Sequence, residues 1–140
     1  MKVKFTYTPP APLEFGWSVE HYRTIIQQPF YRDLTVMESL KGKVDFAGEI
    51  RHVSVGFIEG RALEFEINSL EPGDTFLDIP LPMRTRKFRN ELEKQGVETI
   101  TDNGGVVIPE QGVSFYIYEG ETATICWSSQ HVDRVEDSSC

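Results

Sequence analysis

Two segments of the chain share one pattern of apolar and polar positions. Val53 to Ile67 and Val113 to Trp127 both begin with Val-Ser, and both carry a Glu-Gly pair at the same internal offset, at Glu59-Gly60 and Glu119-Gly120. Apolar residues alternate on both sides of each Glu-Gly pair, which is the pattern of a half-buried β-hairpin. The sequence therefore predicts two similar hairpins.

The register of these hairpins depends on the length of the loop. A strict two-residue loop at Glu59-Gly60 would set Val55 against Glu64 and would leave the apolar residues of the two strands on opposite faces. A three-residue loop that also includes Ile58, with glycine in the left-handed conformation, pairs Val55 with Leu63 instead. We therefore predict a three-residue loop with a glycine bulge in both hairpins. The strands of the first are predicted at residues 50–58 and 61–68.

A short helix is predicted before each hairpin. The first spans residues 19–28 and follows Ser18, which is a good N-cap. The second spans residues 86–95, with Thr85 as its cap and Gly96 as its C-terminal stop. Apolar residues recur at helical spacing in both segments.

The remaining segments carry weaker patterns. Residues 2–7 alternate as a first strand, and Asp102 to Gly105 form a tight turn after a short strand at Val97 to Ile100. Apolar residues three apart permit a further short helix from Tyr31 to Leu40, although this stretch fits no single pattern. Residues 133–140 are polar and are predicted to be a frayed tail.

Together these elements predict an α+β fold. The expected architecture is a mainly antiparallel, twisted sheet built from two helix-then-hairpin repeats, with the helices on one face. At 140 residues the chain is expected to be a single domain, 1–140. The repeat units are predicted at about residues 13–68 and 79–128.

The formal net charge of −8 argues against nucleic acid as the primary partner, because phosphate binding requires a basic surface. The charge is compatible with a basic protein partner, although solubility alone also explains it. One acidic belt is apparent between residues 59 and 78, where Arg61 is the sole cation. Its acids are Glu59, Glu64, Glu66, Glu71, Asp74 and Asp78.

A compact basic cluster lies at the start of the second predicted helix and comprises Arg84, Arg86, Lys87 and Arg89. Cations at a helix N-terminus oppose the helix dipole, so the placement is mildly unfavourable. Pairing of this basic cluster with the acidic belt is the expected structural explanation, and contact with an anionic ligand is the alternative.

The two cysteines, Cys126 and Cys140, have no metal or redox spacing. A disulfide between them would close a short loop, but we expect the terminal Cys140 to be free. The N-terminus lacks a signal-peptide pattern, and no apolar run is long enough to cross a membrane. A cytoplasmic location is the expectation. The histidines His21, His52 and His131 are scattered without ligand-spaced partners, so neither a metal nor a cofactor is predicted.

No catalytic constellation is apparent, so we expect a non-enzyme that binds a protein. Glu64 and Glu66 lie on one face of a strand, and no neighbour in the sequence would raise their pKa values for acid–base work. The candidate partner-binding surface combines the acids of the first hairpin with hydroxyl and aromatic residues of the second, because tyrosines supply contact area at low entropic cost. These residues are Glu59, Glu64, Glu66, Tyr116, Tyr118, Thr122 and Thr124. The alternative is that the C-terminal tail or a helix covers Tyr116 and Tyr118.

A second interpretation is a small-ligand binding protein or an enzyme with an anion site between the helices and the sheet. Arg23 and Arg89 occupy equivalent positions in the two predicted helices, and His52 completes the candidate site.

The stretch from Ile79 to Leu92, Ile-Pro-Leu-Pro-Met-Arg-Thr-Arg-Lys-Phe-Arg-Asn-Glu-Leu, resembles the helix-then-sheet unit shared by the β-lactamase inhibitor protein family and small outer-membrane assembly lipoproteins. Pro82 stands where that motif has glycine, whereas Gly16 retains it in the first unit. The stretch from Asp102 to Ile117 also resembles small cytosolic bacterial proteins, including immunity-type proteins. The resemblance implies a binding function in which a concave sheet grips and occludes a protein, such as a basic toxin.

Overall fold

The computed structural model describes residues 2–33 and 37–129. Within these ranges the chain forms two helices, α1 at Val19–Ile25 and α2 at Thr85–Lys94, and eleven strands. The strands are β1 Lys4–Phe5, β2 Gln27–Asp33, β3 Glu38–Phe46, β4 Glu49–Ile58, β5 Arg61–Ile67, β6 Thr75–Phe76, β7 Ile79–Pro80, β8 Ile100–Asp102, β9 Gly105–Ile108, β10 Val113–Tyr118 and β11 Glu121–Ser128.

Eight of the described strands form one antiparallel sheet in the order β2-β3-β4-β5-β11-β10-β9-β8. The central pair, β5 and β11, joins the last strand of the first half of the chain to the last strand of the second. A small sheet, β1-β6-β7, contains a parallel pair. The predicted α+β class with a mainly antiparallel sheet is confirmed.

The first hairpin differs from its prediction in the position of the extra residue. The loop contains only Glu59 and Gly60, both with positive φ (54° and 78°), as in a type I′ turn. Gly56 faces Glu64 whereas the next residue, Phe57, faces Ala62, so the extra residue lies within β5 as a bulge. Val55 therefore pairs with Phe65, and the predicted three-residue loop and its Val55–Leu63 pairing are wrong.

The second hairpin has the same loop and the same bulge. Glu119 and Gly120 have φ values of 53° and 84°, and the register shifts between Tyr116 and Ile117. Each of its six residue pairs lies 60 positions after a pair of the first hairpin, as Val113↔Trp127 follows Val53↔Ile67. The two sequences thus specify one backbone geometry twice.

The predicted helix over Tyr31 to Leu40 is wrong where the structure describes it, because β2 and β3 pair there instead. Helix α1 ends at Ile25, since Ile26 is already extended with ψ of 126°. Gly42 permits the close approach of β2 to β3, because a Cβ there would lie 2.6 Å from the Gln27 carbonyl oxygen. Residues 34–36 and the predicted tail at 133–140 lie outside the described residues.

Helix α2 matches its prediction closely. Phe88 and Leu92 are buried, and Gly96 ends the helix with a φ of 79°. Its N-cap is Arg84 rather than Thr85, whose hydroxyl reaches the Gly120 carbonyl oxygen at 3.4 Å. The strand predicted at Val97 to Ile100 lies further on, at β8, and the first predicted strand shortens to β1.

Aromatic rings connect the helices to the large sheet. The Tyr22 ring of α1 packs against Phe57 and Phe65 at centroid distances of 5.9 and 5.8 Å. The Phe88 ring of α2 lies 4.7 Å from Phe115, which also packs on Phe76 at 5.0 Å. These contacts fix both helices against the core of the sheet.

Candidate functional site

The acidic belt is not one surface, because its most buried member serves the fold. Asp74 is fully buried, and its carboxylate accepts two hydrogen bonds from the Arg51 guanidinium at 2.7 and 2.8 Å. The backbone N–H groups of Val3 and Glu71 donate to the same carboxylate at 3.1 and 2.8 Å. The pair joins the N-terminal segment, the turn before β6 and strand β4.

Burial alone would raise the pKa of Asp74, but the hydrogen bonds from Arg51, Glu71 and Val3 outweigh it and hold the pKa below its ordinary value. Glu71 is also occupied, because it accepts a hydrogen bond from Lys2 at 2.6 Å. The sequence analysis did not predict this network. The one feature that could have indicated it is Arg51, a charged residue within the apolar pattern of β4.

Glu64 and Glu66 share one face of β5, as predicted, but neither is fully exposed to solvent. Glu64 is only 8% exposed and accepts a hydrogen bond from the Ser128 hydroxyl at 3.3 Å. Glu66 is half-buried, and this desolvation raises its pKa, while the charge of Lys41 acts in the opposite direction. The face around them is mixed in charge rather than acidic.

We expect Glu66→Gln to stabilise the protein at pH 7. The folded-state pKa of Glu66 is raised, so the charged carboxylate destabilises the fold above that pKa, and the effect disappears below the unfolded pKa of about 4.3. The gain should be roughly 0.5 kcal/mol in the free energy of unfolding, measured by urea denaturation. Glu59→Gln at the exposed hairpin loop is the matched control. A Glu66→Gln variant that is less stable than wild type at pH 7 would contradict the assignment.

Cys126 of β11 is the cross-strand neighbour of Glu66 of β5, so the two side chains lie on the same face of the sheet. Cys126 is 1% exposed and disulfide-bonded, so at this position the alternative of a disulfide holds and the thiol is not free. Cys140, the other cysteine of the sequence, lies outside the described residues. Disulfides form and persist mainly in oxidising compartments, so this bond does not favour the expected cytoplasmic location.

The second hairpin brings three of the predicted partner-binding residues to one concavity. The Tyr118 hollow, as we name it, has a volume of about 690 Å³. The Tyr118 side chain is 70% exposed, the largest exposure among the exposed large apolar residues of the described chain. The residues that line the hollow include Asn68, Arg84, Tyr118, Glu119, Glu121 and Thr124.

Thr122 also borders the Tyr118 hollow, but its side chain is used internally. It is 1% exposed, and its hydroxyl oxygen accepts a hydrogen bond from the Met83 N–H at 3.0 Å. The β11 bulge changes the phase of the strand, so Thr122 pairs with Ile117 while Thr124 pairs with Tyr116. The structure therefore does not bring Thr122 to the face that carries Tyr116 and Thr124.

The other predicted residues are dispersed. Glu59 is exposed in the loop of the first hairpin, and Tyr116 is half-buried on β10. Thr124 is 9% exposed and donates to the Asn68 side-chain oxygen at 3.4 Å.

The three residues of the predicted anion site occupy separate settings. The Arg23 guanidinium lies 5.4 Å from the Tyr31 ring centre, and Arg89 donates to Thr99 through Nε at 2.9 Å and Nη2 at 3.2 Å. His52 is exposed on β4, on the face of the strand opposite to that of its buried neighbour Arg51. The expected convergence of these three side chains is not observed.

The basic cluster does not pair with the acidic belt. Within residues 2–33 and 37–129, no ion pair involves Arg84, Arg86, Lys87 or Arg89. Arg86 and Arg89 instead line the α2 cleft, a depression of about 890 Å³ between α2 and residues 96–100. Arg84 faces the Tyr118 hollow on the other side.

Within the described part of the chain, no group of three or more His, Cys, Asp or Glu side chains could hold a metal ion. Neither described helix is long and apolar enough to span a membrane. Comparison with known proteins gives no significant match to any family model, curated protein or solved structure.

Proposed function

We propose that this chain is a non-enzymatic protein-binding module of the immunity or inhibitor type, which neutralises a toxin by occluding its active site. The observation that carries the proposal is the exposed Tyr118 ring at the Tyr118 hollow. Tyrosine is one of the residue types enriched among the few positions that carry most of the energy of a protein–protein interface. Glu59 is left out of this proposed surface, because the antiparallel pairing of β5 with β11 puts the two hairpin loops at opposite ends of the sheet.

The proposed partner is a basic protein. The chain carries a net charge of −8, and Glu119 and Glu121 lie at the Tyr118 hollow with Arg84 as the neighbouring cation. Opposite charge on a partner would accelerate association and orient the two proteins. The partner's basic group would meet the two glutamates while an apolar group packs against Tyr118.

We further propose that the fold is a tandem of two helix-then-sheet units with both helices on one face. The 60-residue offset between the hairpin pairs supports the duplication. So do two isolated β-bridges, Ser18↔Arg61 and Arg84↔Glu121, each of which connects the residue before a helix to the start of the last strand of its unit. Two such units side by side would form the concave sheet implied by the resemblance to the β-lactamase inhibitor family.

Tyr118→Ser should weaken binding of the specific partner by about 30-fold or more, which corresponds to a hot-spot loss of about 2 kcal/mol. The matched control is Phe30→Ser, which removes a 62% exposed ring from the opposite edge of the sheet. Each form is used as bait in the source lysate, and the retained protein is then purified and titrated against all three at low and moderate salt.

The proposal requires that wild type and Phe30→Ser bind equally, that Tyr118→Ser does not, and that the wild-type complex suppresses the partner's activity in stoichiometric amounts. Equal binding by all three forms would remove Tyr118 from the interface. A bound partner that remains fully active would refute occlusion.

A further inference from the structure

We propose that the α2 cleft is a binding site for a small phosphomonoester, independent of the protein-binding surface. Its volume of about 890 Å³ lies within the range of small-molecule sites. The cleft is formed by one face of α2, where Arg86, Arg89, Asn90 and Glu93 recur at the three- and four-residue spacing of a helical surface.

Arg89 supplies a fixed guanidinium group in this cleft. Its Nε and Nη2 atoms donate to the side-chain and backbone oxygens of Thr99, and the side chain is half-buried. A guanidinium has five N–H donors, so Nη1 and the second Nη2 hydrogen remain for a ligand. Because Thr99 already holds the group in place, a ligand loses little of its binding energy in ordering it.

Arg86 lies one helical turn before Arg89 and lines the same cleft. Its side chain is exposed and forms no ion pair within the part of the chain that the structure describes. Two arginines on successive turns, with the Asn90 amide beside them, supply donors at one end of the cleft. A phosphate dianion satisfies two guanidinium groups at once, whereas a carboxylate neutralises only one.

The other end of the cleft is acidic and restricts the rest of the ligand. Glu93 lies seven residues beyond Arg86, about 10 Å along the helix axis, and Glu98 lines the cleft from the following segment. Carboxylates accept hydrogen bonds and repel a second anion. The ligand is therefore a phosphomonoester whose remaining part carries hydroxyl or amine groups.

The test compares inorganic phosphate, glucose 6-phosphate, glucose and acetate as ligands for the wild-type protein at constant ionic strength. Binding is followed by amide chemical shifts in NMR spectra and by isothermal titration. Glucose 6-phosphate should bind saturably and more tightly than phosphate, with shifts concentrated at Asn90, Gly96 and Thr99. Glucose and acetate should bind at least about tenfold more weakly, since each lacks one half of the recognised chemistry.

Arg86→Gln and Arg89→Gln should each weaken glucose 6-phosphate at least about tenfold, the size of one lost charge-assisted contact. The matched control is Lys87→Gln, which removes an exposed cation of the same helix that does not line the cleft. Arg89→Gln removes the two hydrogen bonds to Thr99 and could disturb the fold. Arg86→Gln removes no such bond, so it keeps the test valid in that case.

Three results would overturn the site. The first is an absence of saturable binding of glucose 6-phosphate below about 10 mM. The second is an equal loss of affinity in Lys87→Gln and Arg86→Gln, which indicates general attraction to the basic cluster. The third is tighter binding of acetate than of phosphate.

Discussion

Asp74→Asn should lower the free energy of unfolding at pH 7 by about 3 kcal/mol, because removing one partner of a buried ion pair leaves the other charge uncompensated. Arg51 is 2% exposed in its side chain and would retain only Glu49 at 3.3 Å and Glu71 at 3.8 Å. The measurement is urea denaturation at pH 7. Asp78→Asn, which changes an exposed acid four residues away, should alter stability by less than about 0.5 kcal/mol.

The pH dependence provides an independent check on Asp74. Its pKa is lower in the folded protein than in the unfolded chain, so its contribution to stability is complete above the unfolded value of about 3.9 and is lost as the pH falls further. Wild type and Asp74→Asn should therefore differ most near neutral pH and converge in acid. A constant difference down to pH 2 would show that the carboxylate charge is not the cause.

A double substitution separates the pair from its surroundings. Arg51→Met removes the cation, and the combination of Arg51→Met with Asp74→Asn should cost clearly less than the sum of the two single changes. The loss of stability that remains in the double variant measures the weakening of the hydrogen bonds from the Val3 and Glu71 N–H groups, which would then be made to a neutral amide instead of a carboxylate.

The bulges show which part of the fold the sequence could predict. Alternating apolar residues required one extra residue in each hairpin, and the structure contains one in each. Local reasoning placed it in the loop because glycine tolerates positive φ, yet Glu59 and Glu119 also adopt positive φ and close two-residue loops. The extra residues, Leu63 and Ala123, lie in the strands, where their carbonyl oxygens accept hydrogen bonds from Ser129 and Leu70.

In each case the donor follows the last strand of the other unit: Ser129 follows β11 and bonds to Leu63 of β5, and Leu70 follows β5 and bonds to Ala123 of β11. Both hydrogen bonds therefore depend on the pairing of β5 with β11. No pattern within a hairpin can indicate such a contact, which explains why the loop length was wrong. The phase change it produces also moves Thr122 away from Thr124. Thr122 is therefore absent from the predicted binding face because of a contact between the two units, which the sequence of one hairpin does not show.

The stretch from Tyr31 to Leu40 failed for a related reason. Its spacing of apolar residues permits a helix, but strand pairing with β4 decides the conformation of β3 and thereby of β2. Arg51 and Asp74 are 23 positions apart, so their pairing likewise depends on the folded chain. Helix α2 was well predicted because its inward residues, Phe88 and Leu92, and its stop at Gly96 are all local signals.

Phe115→Ala should be at least as destabilising as Asp74→Asn, with a loss of roughly 3–5 kcal/mol in the free energy of unfolding. The Phe115 ring is fully buried and contacts both Phe88 of α2 and Phe76 of β6. Its removal leaves a cavity lined by two rings that are held from two separate elements, α2 and β6, and these cannot close together without moving α2. Edge-to-face contacts add to the loss beyond the buried area.

The control is Phe30→Ala, which removes the same ring from a position that is 62% exposed and should cost less than about 0.5 kcal/mol. Urea denaturation measures both variants, and glucose 6-phosphate affinity is then measured on the folded fraction. Because Phe88 anchors α2 through Phe115, a displaced helix should also weaken ligand binding at Arg86 and Arg89, whereas Phe30→Ala should leave it unchanged. A Phe115→Ala protein with a loss below about 1 kcal/mol would show that the α2 contact contributes little to the core.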